Sequence, residues 1–176
     1  IMRKLTKWLS LVLIGVLLIP VFASCDKNEE EDPQVPAEEV TIASDHYSDY
    51  VLVYPANSTP SEVSEYKEFG ANLRAATLVF FDMKDDSEPA AEGAKEILLG
   101  STNRPQSAEA YNQLGADQVG FYMIDGQVAI VSNFEGGFDT AAKEFMKRYV
   151  KDSAIKLMSN LAVRIQCEIG YDYVSV

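Results

Sequence analysis

From about Thr41 the chain alternates between apolar runs with strand character and apolar residues at helical spacing. Tyr50-Val51-Leu52-Val53-Tyr54, closed by Pro55, is rich in β-branched and aromatic residues and predicts a strand. Thr59-Pro60-Ser61-Glu62 then gives a capping box with Pro at the first helical position. Val63, Tyr66, Phe69, Leu73 and Ala76 follow at helical spacing, so residues 60–76 are predicted as an amphipathic helix. Gly70 inside it weakens the helix by about 1 kcal/mol. Leu78-Val79-Phe80-Phe81 predicts a second strand, and Asp85 to Gly93 a polar loop. Glu96-Ile97-Leu98-Leu99 predicts a third strand, apolar enough to be covered on both faces.

Gly100 to Pro105 turns the chain into a short helix through Ala108, Tyr111 and Leu114, with Gly115 suited to its C-terminal cap. Val119 to Ile124 and Gln127 to Val131 flank Asp125-Gly126, a strong hairpin signal. Gly136-Gly137 leads into a stripe of Phe138, Ala141, Ala142, Phe145, Met146, Tyr149 and Val150, which predicts a helix. The tail reads as a helical turn followed by one or two strands, Ala162 to Ile169 and Tyr171 to Val176. The order predicts one α/β (α+β) domain, a mixed β-sheet with helices packed on it.

The N-terminus carries a different pattern. Arg3, Lys4 and Lys7 precede a run from Leu9 to Ala23 that is apolar apart from Ser10 and is interrupted by Pro20, the layout of a secretory signal. At 15 residues the run is shorter than the roughly 20 that a spanning helix needs. It ends in Phe22-Ala23-Ser24-Cys25, which resembles the lipobox of bacterial lipoproteins, with Phe22 where Leu is usual. The resemblance implies a signal peptide over residues 1–24 and a lipidated Cys25; the plain alternative is an ordinary secretory signal with a chance Cys. Acyl chains on Cys25 would hold the protein to a membrane leaflet. Cys167 then has no partner and is expected to be a small buried hydrophobe.

Residues 25–40 hold Asp26, Glu29, Glu30, Glu31, Asp32, Glu38 and Glu39 against Lys27, with Pro33 and Pro36. Such a stretch buries too little apolar surface to order itself and is expected to be an acidic tether. The Lys/acidic run after the Cys also resembles the export signal of surface-exposed lipoproteins in some diderm bacteria. These readings place the protein at the outer membrane or cell surface, lipid-anchored, with a periplasm-facing anchor as the alternative. Removing residues 1–24 takes away Arg3, Lys4 and Lys7 and no acid, so 15 bases become 12 against 27 acids, a charge of −15. That sign argues against a nucleic-acid partner.

Glu96-Ile97-Leu98-Leu99-Gly100-Ser101-Thr102-Asn103-Arg104-Pro105 carries a second likeness. With the elements around it, from Tyr50 to Val150, it resembles the small domain preceding the barrel in family-twenty β-hexosaminidases and family-sixty-seven α-glucuronidases. In those enzymes the domain is not catalytic, and the barrel supplies the acid/base carboxylates. After Val150 only 26 residues remain, where a barrel needs about 200 or more, so no catalytic residue carries over.

The chain offers few groups for chemistry. Its one His, His46, excludes a multi-His metal site, and any Ser-His-Asp triad or Cys-His pair must use it. Asn103 and Arg104 sit where a strand ends and a helix begins, a common docking place on α/β sheets, and are the candidate ligand-binding residues. The weightier alternative is that Arg104 pairs with a nearby acid and Asn103 makes a local turn. Gly136-Gly137 lacks the spacing of a nucleotide fingerprint, so no cofactor is expected. Asp82, Asp85, Asp86 and Glu88 carry enough carboxylate for Ca²⁺ or acid/base work, although such loops are usually only solvated. Tyr47, Tyr50, Tyr171 and Tyr173 are the aromatics that could stack on sugars.

The resulting expectation is a lipid-anchored, exported, non-catalytic accessory or binding domain in cell-surface glycan processing. Its partners would be the membrane, through the anchor, and a glycan or surface protein. The alternatives are the remnant of a glycosidase without its barrel, or a structural surface subunit.

Overall fold

The computed structural model describes residues 36–168. The expected signal peptide, Cys25, most of the expected tether and the strand expected over Tyr171 to Val176 lie outside that range. Along the described chain run β1 (Glu39–Ala43), β2 (Val51–Tyr54), α1 (Pro60–Thr77), β3 (Met83–Asp85), β4 (Glu96–Leu99) and α2 (Pro105–Asn112). Then come β5 (Gln118–Ile124), β6 (Gln127–Ser132), α3 (Gly137–Tyr149), β7 (Val150–Lys151), β8 (Ala154–Met158) and β9 (Ala162–Gln166).

A six-stranded mixed sheet in the order β3-β2-β4-β6-β5-β9 is the centre of an α/β domain. Its β3, β2, β4 and β6 are parallel, whereas β5 is antiparallel to both β6 and β9. Successive strand residues point to opposite faces, and the core divides accordingly. Leu52, Ile97, Leu99, Phe121 and Ile130 share one cluster with Tyr66, Phe69 and Leu73 of α1 and Phe145 of α3. Val53, Leu98, Tyr122, Ala129 and Val131 share the other with Ala110 of α2. Helices α1 and α3 therefore cover one face and α2 the other, which is why β4 is buried at every position.

Helix α1 starts as the capping box predicts. The Glu62 N–H donates to Thr59 Oγ1 at 3.3 Å, and the Thr59 N–H donates to Glu62 Oε2 at 2.7 Å. Thr59→Ala is expected to lower stability by about 1 kcal/mol. The measurement is a lower urea midpoint at unchanged slope, with Thr59→Ser close to the parent. Gly70 earns its place by close packing: a Cβ there would lie 3.0 Å from Met83 Cε and 3.1 Å from Leu52 Cδ1.

The Asp125-Gly126 hairpin is also as expected, with both residues left-handed at φ 50° and 77° and β5 paired to β6 from Val119↔Ser132 to Ile124↔Gln127.

Several expectations need correction. The strand expected over Leu78–Phe81 lies instead at Met83–Asp85. Leu78 is the left-handed cap of α1 (φ 59°), so the chain is still turning off the helix, and its ladder to β2 begins only where the Leu52 N–H meets the Asp82 carbonyl. Gly115 does not cap α2, which ends at Gln113 in right-handed geometry.

After α3 there is no helical turn but a hairpin of β7 and β8. Asp152 and Ser153 (φ 50° and 59°) make its turn. The acidic stretch expected to run to residue 40 is in register earlier: β1 begins at Glu39, and the Glu38 N–H donates to Ser159 Oγ at 3.0 Å. Strand β1 pairs with β8, giving a separate three-stranded sheet in the order β1-β8-β7. Its Ile42, Ile155 and Leu157 join the α1/α3 side of the core.

Candidate functional site

Three polar residues of the Glu96–Arg104 segment, Glu96, Thr102 and Arg104, are buried. Arg104 is 4% exposed and Glu96 1%. Arg104 Nε donates to Glu96 Oε2 at 2.8 Å and Nη2 to Oε1 at 3.3 Å, a two-point grip, and Lys84 Nζ stands 3.2 Å from the same carboxylate. Burial pushes the Glu96 carboxyl up, but the hydrogen bonds from Arg104 and Lys84 outweigh it and hold it below the ordinary range. Arg104 Nη1 donates to Asn103 Oδ1 at 2.6 Å.

Asn103 in turn donates its backbone N–H to Asp86 Oδ2 and its side-chain amide to the Asp86 carbonyl, both at 2.5 Å. The other Asp86 oxygen accepts from the Ala56 N–H at 2.8 Å. Thr102 Oγ1 and Ser107 Oγ, both buried, lie 2.6 Å apart.

Asn103 and Arg104 both brace the β4–α2 turn: the Arg104 guanidinium is buried and turned inward onto Glu96, whereas Asn103 is exposed. Asp86 is buried in the same brace, not solvated in a loop, and Asp85 accepts from Ser87. Among the described residues no group of His, Cys, Asp and Glu is arranged to hold a metal ion.

A cleft of about 320 Å³ lies at the carboxyl ends of β2, β4 and β6. Helix α1 leaves β2 toward one sheet face and α2 leaves β4 toward the other. The crevice between two such strands is the preferred ligand position in open α/β sheets. The start of α1 (Thr59, Ser61, Glu62, Glu65, Tyr66) forms one wall. Gly100 and Tyr111 form the floor and far side, and Ser132 with Phe134 to Phe138 closes the third.

Gly100 is required by its φ of 71° and by crowding, because a Cβ would sit 2.7 Å from Tyr66 Oη. Gly136 (φ 70°) turns the chain into α3. At Gly137 a Cβ would collide with Ser132 Oγ.

The cleft's chemistry follows from its lining. Tyr111 and Phe134, both half-buried, supply aromatic surface, and behind them Tyr66 and Phe138 are buried edge to face at 4.6 Å between centroids. Burial, with Glu62 adding to it, pushes the Tyr66 phenol up to about 12, and burial raises Tyr111 as well. Both hydroxyls therefore stay protonated and available as hydrogen-bond donors near neutral pH.

Glu62 is held below its ordinary value by the Thr59 N–H and hydroxyl. Glu65 is raised by burial and then by Asp139, Glu62 and Glu68. Glu135 completes an acidic rim, and no Lys or Arg lines the cleft. Two helix N-termini would favour an anion there; Glu62 caps that of α1, whereas no side chain caps that of α3.

Ser132 Oγ donates to the Phe134 carbonyl at 3.1 Å. His46 does not line the cleft; it sits at the exposed two-residue turn that precedes β2. Of the aromatics expected to stack on sugars, Tyr47 is exposed, whereas Tyr50 is buried and donates to the Gly126 carbonyl at 3.0 Å. Tyr171 and Tyr173 lie outside the described residues. Cys167 is half-buried against the core and forms no disulfide.

Sequence reasoning located the turn but missed the cleft, whose walls come from three separate strand ends. No helix among the described residues is long and apolar enough to cross a membrane. No protein-family model matches the chain, and a search of curated proteins finds no match either, so the functional reading rests on the chemistry of the cleft itself.

Proposed function

We propose that this chain is a lipid-anchored, exported, non-catalytic binding domain whose cleft holds a neutral, hydroxyl-rich ligand of the oligosaccharide class at the cell surface. The observation that carries this reading is the lining: aromatic faces, two protonated tyrosine hydroxyls and three carboxylates, without a single cation. Aromatic faces pack on the apolar faces of a sugar ring while carboxylates accept from its hydroxyls. The likeness of the Glu96–Arg104 segment to hydrolase-associated domains, and the lipobox ending at Cys25, support the same setting.

The experiment is a glycan array of neutral and acidic oligosaccharides probed with the full chain. Neutral glycans are expected to bind, and Glu65→Ala with Glu135→Ala is expected to weaken binding about tenfold or more at unchanged melting temperature. An empty array, or equal binding by the double variant, overturns the cleft assignment. For the anchor, labelling with a fatty-acid analogue is expected to mark the parent and not Cys25→Ser; an unmarked parent overturns lipidation.

A further inference from the structure

A second concave surface lies away from the cleft, between α1 and the outer edge of the six-stranded sheet. It is a groove of about 630 Å³. Gly70, Ala71 and Ala75 give it a shallow floor between Lys67 and Arg74, while Phe80 and Met83 form its far wall. Leu78 and Phe80 on its rim are 63% and 68% exposed, high values for large apolar side chains. Beside it runs β3, the terminal strand of the described sheet. Its ladder to β2 uses the Asp82 carbonyl and the Asp86 N–H. The parallel register therefore turns the main-chain groups of Met83 and Asp85 outward, an open edge.

Charge names the occupant. The chain carries a net −12, and seven of the eleven Lys and Arg in residues 36–168 meet a carboxylate. Lys67 and Arg74 meet none among the described residues, although acids abound; Arg74 instead lies over the Phe80 ring at 5.2 Å. Two unpaired cations flanking an apolar floor, next to an unpaired strand edge, are complementary to an extended segment that is both acidic and apolar. An anionic membrane fits less well, since surface attraction takes clusters of roughly four to eight cations.

We propose that this groove docks an acidic, apolar peptide segment of a partner protein. The segment adds as a strand to β3, seats an apolar side chain beside Phe80 and gives carboxylates to Lys67 and Arg74.

The test is selection of a random linear peptide library on the full chain, followed by titration of the best synthetic peptide. Enriched peptides are expected to combine acidic with aromatic or aliphatic residues and to slow amide exchange at Met83 and Asp85. Lys67→Glu with Arg74→Glu, and separately Phe80→Ser, are expected to weaken binding about tenfold or more, with Lys151→Glu unchanged. All these side chains are exposed, so the variants fold. Absence of enrichment overturns the proposal, as does affinity that survives Lys67→Glu with Arg74→Glu. Binding to phosphatidylglycerol vesicles through the same residues points to a lipid surface and also overturns it. So does a tenfold gain in peptide affinity on neutralising Asp26 to Asp32, which would make the chain's own acidic run the occupant. None of these outcomes depends on glycan binding at the cleft.

Discussion

Replacing Arg104 with methionine is expected to destabilise the fold by about 3–5 kcal/mol near neutral pH, the range for leaving one partner of a buried ion pair uncompensated. Glu96 would remain almost fully enclosed with only the half-exposed Lys84 beside it, and Asn103 would lose the donor on its Oδ1. Urea denaturation of the full chain is the measurement.

Two further outcomes identify the mechanism. Adding Glu96→Gln to Arg104→Met is expected to restore much of the loss, because it removes the stranded charge. The deficit is also expected to depend on pH. In the parent, Glu96 is held below its unfolded value, so its contribution is complete above pH of about 4.3 and is lost as pH falls through the folded value. Without Arg104, burial dominates and the folded value rises. The variant's penalty is then full at neutral pH and shrinks as acid neutralises the carboxyl. A deficit independent of pH would mean that the loss comes from packing alone.

The second large effect is expected at Phe145. Its side chain is fully buried and stands at the junction of three other rings: Phe69 at 6.0 Å, Phe121 at 5.6 Å and Tyr149 at 5.3 Å between centroids. These rings come from α1, from β5 and from α3 itself, so the site joins both helices of that face to the sheet. Phe145→Ala removes a ring from a place that cannot close over the gap and is expected to cost about 3–5 kcal/mol. Phe80→Ala is the control. At 68% exposed it removes little buried surface, and its effect should stay within about 0.5 kcal/mol. A loss at Phe145 no larger than at Phe80 would refute the placement of the core.

Features set by neighbouring residues were legible in the sequence. The capping box of α1, the left-handed pair at Asp125-Gly126 and the apolar β4 each follow from local chemistry, and the structure has each where the pattern put it. The α3 stripe was also clear, except that Val150 opens β7 instead of closing the helix.

What was not legible depends on pairing at a distance. The Ala154–Met158 run alternates buried and exposed as a strand should, but its turn, Asp152-Ser153, lacks the glycine that marks a hairpin, and its partner β1 lies more than a hundred residues earlier. Leu78–Phe81 has strand composition, yet the cap geometry of the preceding helix delays the pairing. The Glu96–Arg104 segment was conspicuous as a motif, and Arg104 meets an acid only eight residues before it. The cleft gathers residues from the start of α1, from Gly100 and Tyr111, and from the β6–α3 turn, so no single window of sequence displayed it.

The separate three-stranded sheet has a mechanical consequence. A pull applied to the chain at Pro36 would reach the Glu39 end of β1 first. There the Glu38 N–H on Ser159 Oγ, the Glu39–Lys156 ion pair and then the ladder to β8 take the pull in turn. Because β1 shares no ladder with the six-stranded sheet, it can peel away as far as Ile42 while every hydrogen bond of the larger sheet stays closed. Opening β1 from β8 would thus leave intact the ladders of the sheet whose strand ends form the cleft.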